Sequence, residues 1–417
     1  MILGQISYLD CLVFIALLFP QLLLRVGFWK SLQVAIKASP FLAILLPTKF
    51  IHERFLISKD RQTPFVQQAS PFQDFVIRCV RYAFANIPAT VGKVFFSKEV
   101  ALPFFYFRLL RHRYMQSSVP WREVNREGVK GLWVTIDESR QPDVVIYYCH
   151  GGGFSMGSSY FYIEFLLAWV ALLKKSGLHN PALFALEYSL APDAVYPTQL
   201  QQTLAGYNYV LSRVENSSQI CVGGDSAGAT LILGMLLQKS MDPNERRNFP
   251  GLGILISPWV TLVSVKNRNT PSDYLDADSL HLYGNQYAGP MGSLDDPLVS
   301  PGKCKDVEWW RRASPLHGWS FLFGTEEVFA PETRDLIRLL KKANVDLSVH
   351  EEKGSIHAWP VASLFLGRNR DERQHGLRNI VKVITQTVGH EIKGNQNGTA
   401  NKLPAPLKEK ASKATRE

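Results

Sequence analysis

The chain has 417 residues, 46% apolar and 20% charged, so it can bury a large core, and global disorder is excluded. Its formal net charge is +10, but the basic residues are scattered, with small excesses near the N-terminus, around residues 108–114 and in the last 25 residues. No DNA- or RNA-binding motif accompanies them, so no nucleic-acid partner is expected; the charge suits an anionic membrane surface or a plain solvated face.

The first 47 residues stand apart. Residues 8–24 (YLDCLVFIALLFPQLLL) are nearly all apolar, interrupted by Asp10, Pro20 and Gln21, and a second apolar run covers 39–47. No Lys or Arg precedes the first run, unlike the n-region of a cleaved signal peptide. Residues 1–47 are therefore expected to be a retained hydrophobic membrane anchor. The first run is slightly short of the roughly 20 residues of a full span. Interfacial or hairpin insertion, or two soluble helices packed on the body, are the other readings.

Residues 48–125 are aromatic, basic and expected to be helical, with 70–88 (SPFQDFVIRCVRYAFANIP) as the clearest amphipathic stretch. A catalytic domain is expected over 126–392. There, short runs rich in Val, Ile, Leu and Tyr (131–136, 143–149, 182–190, 219–224, 252–258, 320–324 and 346–351) alternate with helical stretches. That alternation indicates an α/β fold with a mainly parallel sheet. A long polar and aromatic interval at about 262–315 breaks the rhythm as an insertion over the site. Residues 393–417 are polar and are expected to be a disordered tail. Five widely spaced cysteines without a CxxC or Cys/His pattern indicate neither a disulfide framework nor a metal.

Two motifs carry chemistry. In GGDSAGA (223–229) an apolar run meets a helical stretch through Gly224-Asp225-Ser226-Ala227-Gly228, a G-x-S-x-G turn that lifts a serine hydroxyl to the C-terminal edge of a sheet. In HGGG (150–153) three glycines end a buried run. Serial glycines cost backbone entropy, and they let N–H groups approach a developing oxyanion. Gly151, Gly152, Gly153 and Ala227 are the expected oxyanion donors, and His150 is expected to hold the loop. A phosphate-binding loop would need a different glycine spacing. A serine nucleophile needs a base and an orienting acid, in the order Ser, acid, His for this kind of sheet. His357, in a loop after the last run, is the expected base. Glu327 follows the preceding run and is the expected acid, with Glu326 as the alternative.

With HGGGF (150–154), YSLAPDAVYP (188–197), GDSAG (224–228), SPW (257–259), DDPLVSP (295–301) and GSIHAWP (354–360) in this order, the chain resembles the hormone-sensitive-lipase-like family of α/β-hydrolases. The N-terminal apolar segment and EVF (327–329) make it most similar to fungal members, which include membrane-bound steryl acetyl hydrolases. Many members have Asp-Pro-Leu where this chain has Glu327-Val328-Phe329. The resemblance implies an α/β-hydrolase core with a helical cap. It implies a serine carboxylester hydrolase that uses no cofactor and removes a short acyl group, acetyl above all, from a hydrophobic alcohol such as a sterol or secondary metabolite. It further implies membrane association, at the endoplasmic reticulum. An acyltransferase on the same triad is the alternative. A non-catalytic ligand receptor, such as the plant gibberellin receptor of this family, would lack the histidine present here as His357. Positive residues after the first apolar run favour a cytosolic catalytic domain. The family resemblance and the sequons at Asn216 and Asn397 favour the lumen.

Overall fold

The computed structural model describes residues 2–126 and 128–388. Its centre is one eight-stranded sheet in the order β1-β2-β4-β3-β5-β6-β7-β8. The strands are β1 (Trp121–Arg126), β2 (Val129–Thr135), β3 (Val144–Cys149), β4 (Pro181–Leu186), β5 (Ile220–Asp225), β6 (Leu252–Ile256), β7 (Trp319–Gly324) and β8 (Leu347–Glu352). β2 runs antiparallel to both β1 and β4, and every other pairing is parallel. Every residue of β3 to β7 is buried, as expected of strands covered by helices on both faces.

β3 shows how one run feeds two cores. Val145, Tyr147 and Cys149 point into the layer that holds the Ala227–Lys239 helix, while Val144, Ile146 and Tyr148 point to the Ile163–Lys175 and Arg370–Thr387 helices. The period of two along a strand makes this division. β1 lies in the interval expected to be helical. Its sequence WREVNR buries only Val124, so an edge strand reads as a polar loop. The run read as 182–190 ends as a strand at Leu186.

The N-terminal region is helical: Tyr8–Arg25, a continuous stretch Phe28–Leu56, then Pro71–Asn86 and Lys98–Arg111. The first two are long and apolar enough to cross a membrane by length and composition. The boundary drawn at residue 47 falls inside the second. Between β6 and β7 the chain leaves the sheet for an excursion that includes the Ala277–Ala288 and Val307–Ala313 helices. The tail expected over 393–417 lies outside the described residues, as does Asn397.

Candidate active site

Ser226 occupies the single residue between β5 and the Ala227–Lys239 helix, at φ 52° and ψ −120°. That backbone is rare for a residue with a Cβ and is retained where surrounding structure forces it. The Ser226 N–H donates to the Ile256 carbonyl at 3.0 Å, pinning the turn to β6. On the other side the turn presses against the end of β3. A Cβ on residue 228 would lie 2.0 Å from the Cys149 oxygen, and one on residue 224 would lie 2.6 Å from Gly228. Both glycines of the motif are thus demanded by close approach of backbone to backbone.

The glycine loop after β3 is held against this turn. Asp225, which precedes the serine, is buried, and its carboxylate accepts from Tyr148 Oη and Tyr162 Oη, each at 2.6 Å. It also accepts the Gly151 N–H at 2.8 Å. The Gly151 donor is therefore engaged, which corrects its expected place among the oxyanion donors. Gly152, Gly153 and Ala227 keep that expectation; Gly152 and Gly153 have φ of 112° and 63°. His150 stacks on Tyr188 at 4.3 Å and hydrogen-bonds the Gly151 carbonyl through Nδ1 at 2.8 Å. Burial pushes its imidazole down to about 4, so it serves as a neutral strut.

His357 and Glu327 come from the loops after β8 and β7. His357 Nδ1 faces Glu327 Oε2 at 3.4 Å, and both side chains are almost fully buried. This is longer than a hydrogen bond. Glu327 Oε1 accepts from Ser257 Oγ at 2.6 Å and from the Gly324 N–H at 2.5 Å. Burial pushes the Glu327 carboxyl up to about 8, against the pull of these two donors toward the anion. A proton on His357 would supply the anion's third partner. Burial holds the His357 imidazole below its ordinary value, and the carboxylates of Asp273 and Asp225 partly offset it. Glu326 points elsewhere: its carboxylate accepts from Thr325 Oγ1 at 3.2 Å.

Two residues near the pair escaped the sequence reading. Ser257, in the left-handed region at φ 45°, donates to Glu327 and accepts the Ala358 N–H at 2.9 Å, so it bridges the acid loop and the histidine loop. Asp273 comes from the excursion after β6 and is fully buried. Its Oδ1 accepts the His357 N–H at 3.0 Å and its Oδ2 accepts the Val328 N–H at 2.9 Å. Arg81, on the Pro71–Asn86 helix, in turn donates to the carbonyls of Pro271, Ser272 and Asp273, each at 2.8 Å. Ser257 had a sequence signal in SPW; one Asp among the acids of a polar insertion had none. Aromatic side chains pack around the pair. Phe329 meets His357 edge-on at 5.2 Å and stacks on Trp259 at 5.5 Å. Phe84 from the N-terminal region packs on Tyr274 and Tyr283 of the excursion.

Known proteins give the same architecture. A family described as "alpha/beta hydrolase fold" matches residues 146–361. Steryl acetyl hydrolase 1 of Saccharomyces cerevisiae is 21% identical over 262 residues, which cover 58% of this chain and 59% of that protein. The acetyl-hydrolase of Streptomyces hygroscopicus is 26% identical over 230 residues, covering 53% and 70%. The chain spans little more than half the length of several curated relatives it matches, and less of others. The crystal structure of an esterase from the bacterial hormone-sensitive lipase family superposes with a TM-score of 0.62 at 20% identity, over 76% of this chain and 99% of that one. With the matched family covering half of its length, the chain belongs to the α/β-hydrolase fold family.

Proposed function

We propose that the protein is a serine carboxylester hydrolase that removes a short acyl group, acetyl above all, from a hydrophobic alcohol. The observation that carries this reading is a strained serine at the β5 turn, opposite a glycine loop, in a chain whose β7 and β8 loops hold a facing Glu and His. Ser226 Oγ attacks the ester carbonyl as His357 takes its proton, and a C–O bond forms. The carbonyl oxygen becomes an oxyanion held by the N–H groups of Gly152, Gly153 and Ala227. His357 then protonates the departing alkoxide, leaving an acyl-serine. Water, deprotonated by His357, attacks that ester and releases the carboxylic acid and free Ser226. Glu327 orients the imidazole and stabilises its charged form. Residues 151, 152 and 153 were the expected loop donors; the engagement of Gly151 by Asp225 gives it a positioning role.

The names of the acetyl-hydrolase and steryl acetyl hydrolase relatives support the acyl class, and the second supports a hydrophobic alcohol. A membrane-associated enzyme would meet such esters where they dissolve. The test is hydrolysis of p-nitrophenyl esters of rising chain length by detergent-solubilised wild type and Ser226→Ala. Fastest turnover of acetate, with loss of at least about 10⁴-fold in the variant, is the expected outcome. A folded wild type that cleaves none of these esters would overturn the reading.

A further inference from the structure

Among the described residues, more than half of the exposed large apolar side chains belong to the first 56. The helices that carry them are nevertheless tied down. Residues before the Tyr8–Arg25 helix lie on the catalytic body: the Ile6 N–H donates to the Phe365 carbonyl at 2.9 Å and Gln5 Nε2 to Leu366 at 2.7 Å. At the first turn, fully buried Asp10 pairs with Arg111 and sits 3.5 Å from Arg108. At the last turn, Arg25 pairs with Glu99 at 2.7 Å. Both ends therefore bind one helix, Lys98–Arg111, and Leu18, between them, packs on Val94 and Val100. Arg108 continues the tie inward, since its guanidinium forks onto buried Glu164. The Phe28–Leu56 stretch is tied by Glu53 to Arg78 at 2.6 Å and by Phe41 stacked on Tyr82 at 4.0 Å.

An 18-residue helix is about 27 Å long, close to the hydrocarbon thickness of about 30 Å, so spanning would put its two ends on opposite sides of the bilayer. Here both ends touch the same charged helix of the body. Spanning would strip Asp10 from its arginines and place charge in hydrocarbon. What is left open is one face of the first helix, with Leu9, Leu12, Ile15 and Phe19, and most of the surface of the second, with Phe28, Trp29 and Ile36 among its exposed apolar side chains. Exposed Lys30, Lys37 and Lys49 lie on the second helix, whereas the acids of this region, Asp10 and Glu53, are paired. An apolar face bearing lysines and a tryptophan matches an anionic leaflet. We propose that Tyr8–Arg25 and Phe28–Leu56 lie in the plane of one anionic leaflet, with both ends of the first helix on the side of the catalytic body. The inference is independent of ester hydrolysis.

Two measurements test it, both in the Ser226→Ala background so that catalysis plays no part. In flotation, full-length protein should rise with vesicles of phosphatidylcholine containing phosphatidylserine. The double variant Leu12→Glu/Phe19→Glu should stay behind, with unchanged far-UV circular dichroism. In microsomes, single cysteines at Gln5, Lys30 and Arg140, in a Cys11→Ser/Cys79→Ser background, should all react with an impermeant maleimide on the same side. Protection of one of the first two while the Arg140 site reacts would mean a span and overturn the proposal. Absence of flotation would overturn it as well, as would a lipid-free dimer that the Glu substitutions dissociate, because the face would then belong to a second copy.

Discussion

At the residue scale, the least legible part of the site is what holds the histidine. His357 could be nominated because it stands in GSIHAWP after the last strand run, and Glu327 because it follows the run before, with Glu326 left as the alternative. Asp273 was not, because its role exists only when the excursion after β6 folds back between two loops it does not adjoin in sequence. Asp273→Ala should leave two buried N–H groups without acceptors, at about 1–3 kcal/mol each. Loss of alignment should lower kcat by about 10²-fold with little change in KM, read by steady-state kinetics. The pH profile gives a second expectation. Burial lowers the His357 pKa, so the base stays neutral below the usual imidazole range, and the acid limb of kcat/KM should fall at a pH under 6.5. Asp273 acts the other way, favouring the imidazolium; Asp273→Asn should therefore move the limb to still lower pH. A limb that moves upward would contradict this electrostatic role.

At the element scale, the β5 turn works because β3 and β5 are parallel neighbours whose C-terminal ends meet at one spot. The parallel register sets Cys149 beside Gly224, and Gly228 follows within one turn of helix. Gly228→Ala would drive a Cβ to 2.0 Å from the Cys149 carbonyl oxygen, backbone that cannot step aside. The expected outcome is destabilisation of at least about 2 kcal/mol, seen as a lower midpoint in thermal unfolding followed by circular dichroism. The glycine pattern announced this turn in the sequence. The engagement of Gly151 was hidden, because it depends on Asp225 being reached by two tyrosines and one loop N–H at once. β1 was hidden for another reason: an edge strand that buries one side chain has almost no apolar period.

At the scale of the whole molecule, the N-terminal region is joined to the catalytic body by buried charge as well as by apolar packing. Arg108 and Glu164 are 1% and 5% exposed and bonded at 2.9 and 3.0 Å. Glu164→Gln should remove the forked counter-ion of a buried guanidinium, leaving it Asp10 at 3.5 Å, which Arg111 shares, and cost up to about 3 kcal/mol, read from the urea midpoint in detergent. A second line of contact runs from Phe84 and Arg81 to the excursion over the site, so the region read as a separate anchor and cap also props the catalytic loops. By itself the sequence determined the parallel α/β core, the serine turn and the glycine loop, because strand burial, glycine crowding and the strand–turn–helix change of period are local properties written in adjacent residues. Tertiary structure alone decided that Glu327 and not Glu326 faces His357, that Asp273 and Ser257 hold the pair, and that Asp10 in an apolar run answers to Arg111. Each of these is a meeting of segments distant along the chain, and the partner that satisfies a buried polar group is chosen by packing, on which sequence spacing is silent.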